Sequence, residues 1–139
     1  MEKFKHKVKL QLRFNDADSL GHINNSVYFS FYDLGKTEYF RSVKGYSFYD
    51  DPIDLVVAHV EVDFMKPVFL KDTVSVYTRV TRMGNKSMNL EQKIIDEISH
   101  DIKCVCNTVM VGFDFTSNET IEISNQWREL VNDYEGSDF

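Results

Sequence analysis

The sequence is poor in the residues that interrupt or cross-link a chain. Its 139 residues include only two prolines, six glycines and two cysteines. So little proline and glycine, beside 42% hydrophobic residues, excludes a collagen-like, low-complexity or disordered chain. No apolar run approaches the roughly 18 residues that a membrane span needs. We therefore expect one folded domain over residues 1–139, with no membrane partner.

The few cysteines indicate a reducing compartment. Cys104 and Cys106 lie two positions apart in a predicted strand, so both side chains point to one face, which is poor geometry for a disulfide. A lone C-x-C is also weak support for a metal site, and none is predicted. The first residues lack the apolar segment of a secretory signal. We expect a cytoplasmic protein with free thiols.

Basic residues are too few for a nucleic-acid-binding protein. Lys and Arg number 16 against 22 Asp and Glu, which gives a net charge of −6. Most of this excess lies after residue 115, and such acidic stretches are usually solvated surface. No nucleic-acid partner is expected.

Aromatic residues, in contrast, are abundant. The chain has 11 Phe, seven Tyr and one Trp, or 14% of its residues. Side chains of this size require a large buried surface, either inside the domain or between subunits.

Hydrophobic periodicity divides the chain into strands and helices. Residues 4–14 alternate between apolar and polar with a period of two, which predicts a half-buried strand. From residue 25 to about 41 one narrow polar stripe runs along an otherwise apolar helix, which predicts burial on most sides. Four more strands are predicted at 54–65, 73–83, 86–96 and 102–115, loops at 42–52 and 116–120, and a short helix at 124–134.

These elements predict an α+β domain. Gly84-Asn85 is a hairpin signal, and hairpin connections imply an antiparallel sheet with helices on one face. A curved sheet around the first helix would cover the wide apolar arc of that helix.

The densest group of polar residues precedes the first helix, in residues 13–25. Asn24 is the predicted N-cap, which would leave the N–H of Asn25 free to stabilise an oxyanion with the helix dipole. Asp18 and His22 could supply a base or nucleophile and an acid. The same residue types are also common in any loop that joins a strand to a helix, so composition alone leaves both interpretations open.

Residues 13–40, RFNDADSLGHINNSVYFSFYDLGKTEYF, carry a family resemblance. They resemble the signature of hotdog-fold acyl thioesterases of the 4-hydroxybenzoyl-CoA thioesterase group, in which an Asp-x-Asp-x-x-Gly loop precedes His-(Val/Ile)-Asn-Asn and a Tyr-rich helix. Residues 56–72 and 82–94 are similar to later passages of that family, so the resemblance covers about residues 5–115. It implies a hotdog fold with a five-stranded antiparallel sheet wrapped around a long central helix, and residues 116–139 as a loop and a short C-terminal helix.

The resemblance also implies a reaction. It is hydrolysis of a small or medium acyl-CoA, or of an acyl-carrier protein, to free acid and thiol. Asp18 would act as general base or nucleophile, the Asn25 backbone amide would polarise the thioester carbonyl, and His22 would assist proton transfer or shape the site. The remaining implied substrate-site residues are Asn24, which would order the loop, and Tyr28, Phe31 and Tyr32 on the pocket wall.

Partners and alternatives follow from the same resemblance. Hydrolases of this family need no metal or cofactor and place their sites at a dimer interface, so we expect a homodimer or homotetramer. A hotdog hydratase or dehydratase is disfavoured, because its Asp-x-Asn-Pro-x-His spacing differs from that of Asp18 and His22. A non-catalytic acyl-CoA-binding hotdog module would keep the same motif and stays open.

Overall fold

The computed structural model describes residues 3–45 and 54–139. Within these ranges the chain forms two α-helices and six strands, and the six strands make one sheet. Most of the loop predicted at 42–52 lies outside the described residues. The elements are β1 (His6–Lys9), α1 (Asn25–Lys44), β2 (Leu55–Phe64), β3 (Val74–Met83), β4 (Ser87–Asp96), β5 (Ile102–Asp114), β6 (Glu119–Ile121) and α2 (Asn125–Glu135).

The strands form one antiparallel sheet in the order β1-β3-β4-β5-β2. The predicted hairpin at Gly84-Asn85 is confirmed, since it joins β3 to β4. The predicted count of five strands is wrong, because β6 pairs with the end of β5. Its three residues are too few to show a period of two, so the sequence indicated only a loop there.

The first strand is shorter than its alternation predicted. Pairing with β3 covers only residues 6–9, and a single turn of 3-10 helix follows at Phe14–Asp16. Leu10 still donates its N–H to the Val74 carbonyl (3.0 Å), but the chain then leaves the sheet. The alternation continues past this point because Leu12 still packs against the core.

Helix α1 has 20 residues and packs on one face of the sheet. The predicted burial on most sides is wrong for the single chain, because Phe29 and Leu34 are 45% and 41% exposed. One sheet layer covers one side of a helix, so the sheet does not wrap around α1. The outward side of the helix is its polar stripe, through Ser26, Ser30, Asp33 and Thr37, with Phe29 and Leu34 at the two edges of that stripe.

A close contact holds α1 on the sheet. A Cβ atom on Gly35 would lie 2.7 Å from Nε2 of Gln92, so only glycine lets the helix come this near. Gln92 is fully buried in β4 and donates to the Tyr32 carbonyl and to Thr78 Oγ1, both at 3.0 Å. This contact fixes where the N-terminus of α1 emerges.

Both cysteines lie in the core, as expected for free thiols. Burial raises the pKa of the Cys104 thiol to about 11, so this thiol remains protonated and unreactive at neutral pH. In the described part of the chain, no helix combines the length and the apolar character that crossing a membrane requires.

Candidate active site

The β1–α1 loop folds back on itself before the helix begins. Ala17 and Ile23 form an antiparallel bridge, and the N–H of Asp18 donates to the His22 carbonyl at 2.7 Å. The turn between them is closed by Gly21, whose φ of +81° favours glycine. This narrow turn places Asp18 and His22 side by side.

The Asp18 carboxylate is held by one of its two oxygens. Oδ1 accepts the N–H of Leu20 (2.9 Å) and the N–H of His22 (3.2 Å). Among the hydrogen bonds of residues 3–45 and 54–139, none uses Oδ2 of Asp18. The side chain is thus fixed in direction and keeps one oxygen for a ligand.

The predicted N-cap is confirmed. Asn24 has extended backbone, and its side-chain oxygen accepts the N–H of Ser26 at 3.1 Å. The next amide, that of Asn25, donates no hydrogen bond within the described chain. It lies at the positive end of a 20-residue helix, where an unpaired N–H attracts negative charge.

A pocket of about 390 Å³ brings these groups together. Four of the seven predicted site residues line it, namely Asp18, His22, Asn25 and Tyr28. Its other lining residues are Ile23, Phe64, Met65, Lys66 and Pro67.

The wall opposite Asp18 was not predicted as part of the site. It comes from the end of β2 and the start of the β2–β3 loop, which spans residues 65–73. Besides its likeness to the family, the sequence indicated only Lys66 in this segment, as a candidate contact for CoA phosphates with solvated charge as the alternative, because Phe64 and Met65 carry no reactive group. Lys66 adds a cation to the wall, and its Nζ lies 3.1 Å from Oδ1 of Asp101.

Main-chain contacts join the two loops of the pocket. Ile23 donates its N–H to the Val68 carbonyl (2.8 Å), and His22 forms a bridge with Phe69. The two rings of that pair stack edge to face, with centroids 4.9 Å apart. Tyr28 completes the join, because its hydroxyl accepts the N–H of Val68 at 3.3 Å. Burial raises the pKa of Tyr28, so its phenol stays neutral.

Three predicted substrate-site residues lie outside this pocket. The side chain of Asn24 is engaged in capping, as described above. Phe31 lines a different cavity, on the side of α1 that faces the β1–α1 loop, together with Asp16. Tyr32 is 1% exposed, and its hydroxyl is buried beside the Cys104 thiol. Phe31 and Tyr32 follow Tyr28 by three and four residues, so they share its face of α1 and pack in the same core cluster, one turn farther from the helix N-terminus.

Asp16 organises the loop instead of joining the pocket. Its carboxylate is almost fully buried and accepts the N–H of Arg13 (3.0 Å) and a guanidinium N–H of the same residue (3.1 Å). Its carbonyl accepts the N–H of Asn24 at 2.8 Å. Burial opposes the charge, but the contacts with Arg13 hold the pKa of Asp16 below its usual range.

Replacing this carboxylate should make stability less dependent on pH. Asp16→Asn is expected to lower the free energy of unfolding by about 2 kcal/mol at pH 7, because charged hydrogen bonds are lost. The lowered pKa of Asp16 means that its contribution is complete above the unfolded pKa of about 4 and disappears as the pH falls through the folded value. Urea unfolding from pH 7 downward should show the two proteins converging below about pH 4. A difference that does not change with pH would contradict this.

No three His, Cys, Asp or Glu side chains are arranged to hold a metal ion within residues 3–45 and 54–139.

Comparison with known proteins gives this arrangement a family. Residues 12–131 match the model of the thioesterase-like superfamily. The chain belongs to the thioesterase-like superfamily. The match spans both loops of the pocket and all strands of the sheet after β1. It confirms the resemblance to thioesterases. Together with the similar solved structures, it identifies the sheet and α1 as a hotdog fold.

Solved structures share this thioesterase-like fold. A thioesterase from Thermus thermophilus, in complex with coenzyme A and Zn, is 28% identical, covers 100% of both chains and superposes with a TM-score of 0.86. A putative acyl-CoA thioesterase from Xanthomonas campestris is also 28% identical, over 81% of this chain and 96% of its own, with a TM-score of 0.71.

A curated relative adds no function. An uncharacterized protein of Bacillus subtilis, YsmA, is 26% identical over 82 residues, which are 59% of this chain. The matched region spans 55% of the length of that relative. The superfamily and the solved neighbours place the chain among thioester hydrolases.

Proposed function

We propose that this chain is an acyl-CoA thioesterase whose reacting groups are the Asp18 carboxylate and the Asn25 backbone amide. The observation that carries the proposal is their position in one pocket, with a free carboxylate oxygen and an amide that has no partner in the described chain. A thioester is already activated, so one base and one oxyanion donor form a sufficient set.

The first step forms a tetrahedral intermediate. A water molecule attacks the thioester carbonyl carbon while Oδ2 of Asp18 accepts one of its protons. The carbonyl oxygen becomes an oxyanion, which the N–H of Asn25 and the N-terminal dipole of α1 stabilise. These groups are fixed before substrate arrives, because the loop amides hold Asp18 and the cap holds the helix terminus.

The second step breaks the carbon–sulfur bond. The intermediate collapses to the free acid, the bond electrons pass to sulfur, and the proton held on Asp18 converts the thiolate to a thiol. His22 lies beside Asp18 in the pocket, where it shapes the site or relays this proton. Tyr28 and Phe64 pack edge to face, 5.1 Å between centroids, and form the apolar wall for the acyl group.

Asp18 could instead attack the carbonyl itself. The products are the same, but the carboxylate then displaces the thiolate to form an anhydride with the acyl group, the thiolate takes a proton from water, and water hydrolyses the anhydride. Single-turnover hydrolysis in heavy-oxygen water with excess enzyme tests for this route, because label enters the Asp18 side chain only when water cleaves an anhydride at the Asp18 carboxyl carbon.

Three observations support a CoA thioester as substrate. The Thermus structure with 100% coverage contains coenzyme A, the Xanthomonas neighbour is a putative acyl-CoA thioesterase, and Lys66 puts a cation on the pocket wall where CoA phosphates could be bound. The likeness of the β1–α1 loop to 4-hydroxybenzoyl-CoA thioesterases supports small and aromatic acyl groups as candidates. The acyl-carrier protein thioester is the other candidate carrier.

Thiol release tests the proposal. The purified protein is given a panel of aliphatic and aromatic acyl-CoAs and acyl-carrier proteins, and free thiol is measured with time. We expect turnover of at least one acyl-CoA. Calorimetry with CoA and a non-hydrolysable acyl-CoA runs in parallel. Binding without turnover of any thioester would establish the non-catalytic alternative, and neither binding nor turnover would refute both.

A second copy of the chain is the proposed partner. Strand β2 is an edge of the sheet, and it leaves Val57, Val60 and Phe64 47%, 40% and 45% exposed. On α1, Phe29 and Leu34 are also exposed, at the two edges of its polar stripe. Edge strands with exposed apolar side chains pair with other chains unless charge prevents it.

A charge on this edge should separate the subunits. We expect light scattering to give a mass of at least twice 16.3 kDa for the wild type at micromolar concentration, and the monomer mass for Val60→Lys. Ile98→Lys is the matched control, because Ile98 is 77% exposed on the β4–β5 turn. A monomeric wild type, or a dimeric Val60→Lys variant, would contradict the proposed interface.

A cytoplasmic location is proposed on the state of the thiols. Two cysteines remain free in the core, which is usual for proteins of a reducing compartment.

A further inference from the structure

We propose that Lys103 and Asp72 form a buried ion pair that positions the active-site wall, and that Lys103 is a positioning residue for thioester hydrolysis. The inference rests on the proposed function, because it concerns the same pocket. Neither side chain lines the pocket, and both are almost fully covered, with side-chain exposures of 10% for Lys103 and 11% for Asp72.

Lys103 contacts the β2–β3 loop through its side chain at two points. Its Nζ donates to the Pro67 carbonyl at 3.2 Å and lies 3.4 Å from Oδ2 of Asp72. That carboxylate oxygen also accepts the N–H of Phe69 at 2.9 Å. One ammonium group therefore joins the two ends of the segment that carries Pro67 and Phe69.

The backbone of Lys103 holds the same loop. Its carbonyl accepts the N–H of Met65 and the N–H of Lys66, both at 2.9 Å. Met65, Lys66 and Pro67 are pocket-lining residues, so each of them is in place through a contact with Lys103. Since Lys103 is part of β5, which pairs with β4 on one side and β2 on the other, the wall is tied to an interior strand of the sheet.

The same loop extends this control to the reacting groups. Val68 accepts the N–H of Ile23, and Phe69 pairs with His22. A shift of the β2–β3 loop would thus move His22 and the turn that orients Asp18. Displacements of about 1 Å in such sites can cost two orders of magnitude in rate.

A buried ion pair of this kind is vulnerable when one partner is lost. Removing the ammonium leaves the Asp72 carboxylate covered and uncompensated, so the loop must rearrange to bring it to water. Removing both charges avoids this cost but also removes the tie between Lys103 and the loop. We therefore expect the losses of the two substitutions not to add.

The test is a double-mutant cycle with Lys103→Met, Asp72→Asn and the double variant. Methionine keeps the length and apolar stem of lysine, and asparagine keeps an acceptor for the N–H of Phe69. Each single variant is expected to lose about tenfold in kcat with a smaller change in KM, and the double variant to lose no more than either single variant, because all three lack the same tie. Equal losses that simply multiply in the double variant would overturn the inference.

The matched control is Arg79→Met. Arg79 is paired with Glu91 between β3 and β4, at 2.8 Å, and neither residue lines the pocket. If both cation deletions lower Tm but only Lys103→Met lowers kcat, the effect is on position and not on overall stability. A similar loss of kcat in both variants would assign Lys103 a structural role alone.

A second readout does not depend on activity. Amide hydrogen exchange should accelerate in Lys103→Met at Phe69 and Ile23, while Met65 and Lys66, whose partner is the retained main-chain carbonyl of residue 103, and the β3–β4 amides keep their rates. Unchanged exchange at Phe69 and Ile23 would overturn the inference even in an active enzyme. If the wild type hydrolyses no thioester but exchange responds as described, the positioning by Lys103 stands and the proposed function fails.

Discussion

Asn25→Pro is expected to lower kcat by about 10²–10³-fold, because it deletes the one N–H that the proposed mechanism places on the oxyanion. Proline is well tolerated at the first position of a helix, where its missing N–H has no intrahelical partner. The preceding residue already has the extended backbone that proline requires, with φ −61° and ψ 136° at Asn24. The fold should therefore survive, with Tm within a few degrees of the wild type, and steady-state thiol release measures the effect.

The matched control for this variant is Asn25→Ala. It removes the side chain but keeps the backbone amide, so we expect kcat within a few-fold of the wild type. Equal losses in the proline and alanine variants would assign the effect to the side chain of Asn25. An active Asn25→Pro enzyme with normal kcat would exclude its amide from the reaction.

Asp18→Asn should lose about 10²–10⁴-fold in kcat, the usual range for a general base. The exchange is almost isosteric, and the asparagine oxygen can still accept the N–H groups of Leu20 and His22 that hold this side chain. The loop should keep its geometry while the proton acceptor is lost. Thiol release and the affinity for CoA are the paired measurements, and only the first is expected to change.

The single variant His22→Ala, compared with Asp18→Asn, tests whether the His22 imidazole is needed for the reaction. If Asp18→Asn retains wild-type turnover, Asp18 is neither base nor nucleophile and the mechanism fails. If Asp18→Asn is inactive but His22→Ala loses less than about tenfold, the carboxylate alone suffices as the proton acceptor.

The strands after α1 were predictable because each combines a clear period of two with a clear boundary. The predicted strands at 73–83 and 86–96 agree closely with the observed strands Val74–Met83 and Ser87–Asp96. Their boundary could be predicted because Gly84-Asn85 separates two alternating segments. The capped start of α1 was predictable for a similar reason, because Asn24 is a strong local signal. Such information lies within a few consecutive residues.

What the sequence did not predict depends on contacts between distant residues. The sheet order places β2 at the edge beside β5, and nothing within residues 55–64 specifies that neighbour. The pocket wall arises from this placement, because it brings Phe64 and Pro67 opposite Asp18. The burial of Asp16 against Arg13, which keeps its carboxylate out of the pocket that Asp18 reaches, is likewise not specified by the Asp-x-Asp spacing.

The pocket separates two kinds of residue that can change independently. Its reactive end is built from main-chain amides and a tethered carboxylate, whereas the acyl wall is built from side chains, of which Tyr28 is buried and Phe64 and Met65 are 45% and 60% exposed. Substitutions in that wall leave the reactive end intact, so acyl preference can drift under selection without rebuilding the catalytic apparatus. For an engineer, Phe64 and Met65 are the positions at which to select a new acyl group first.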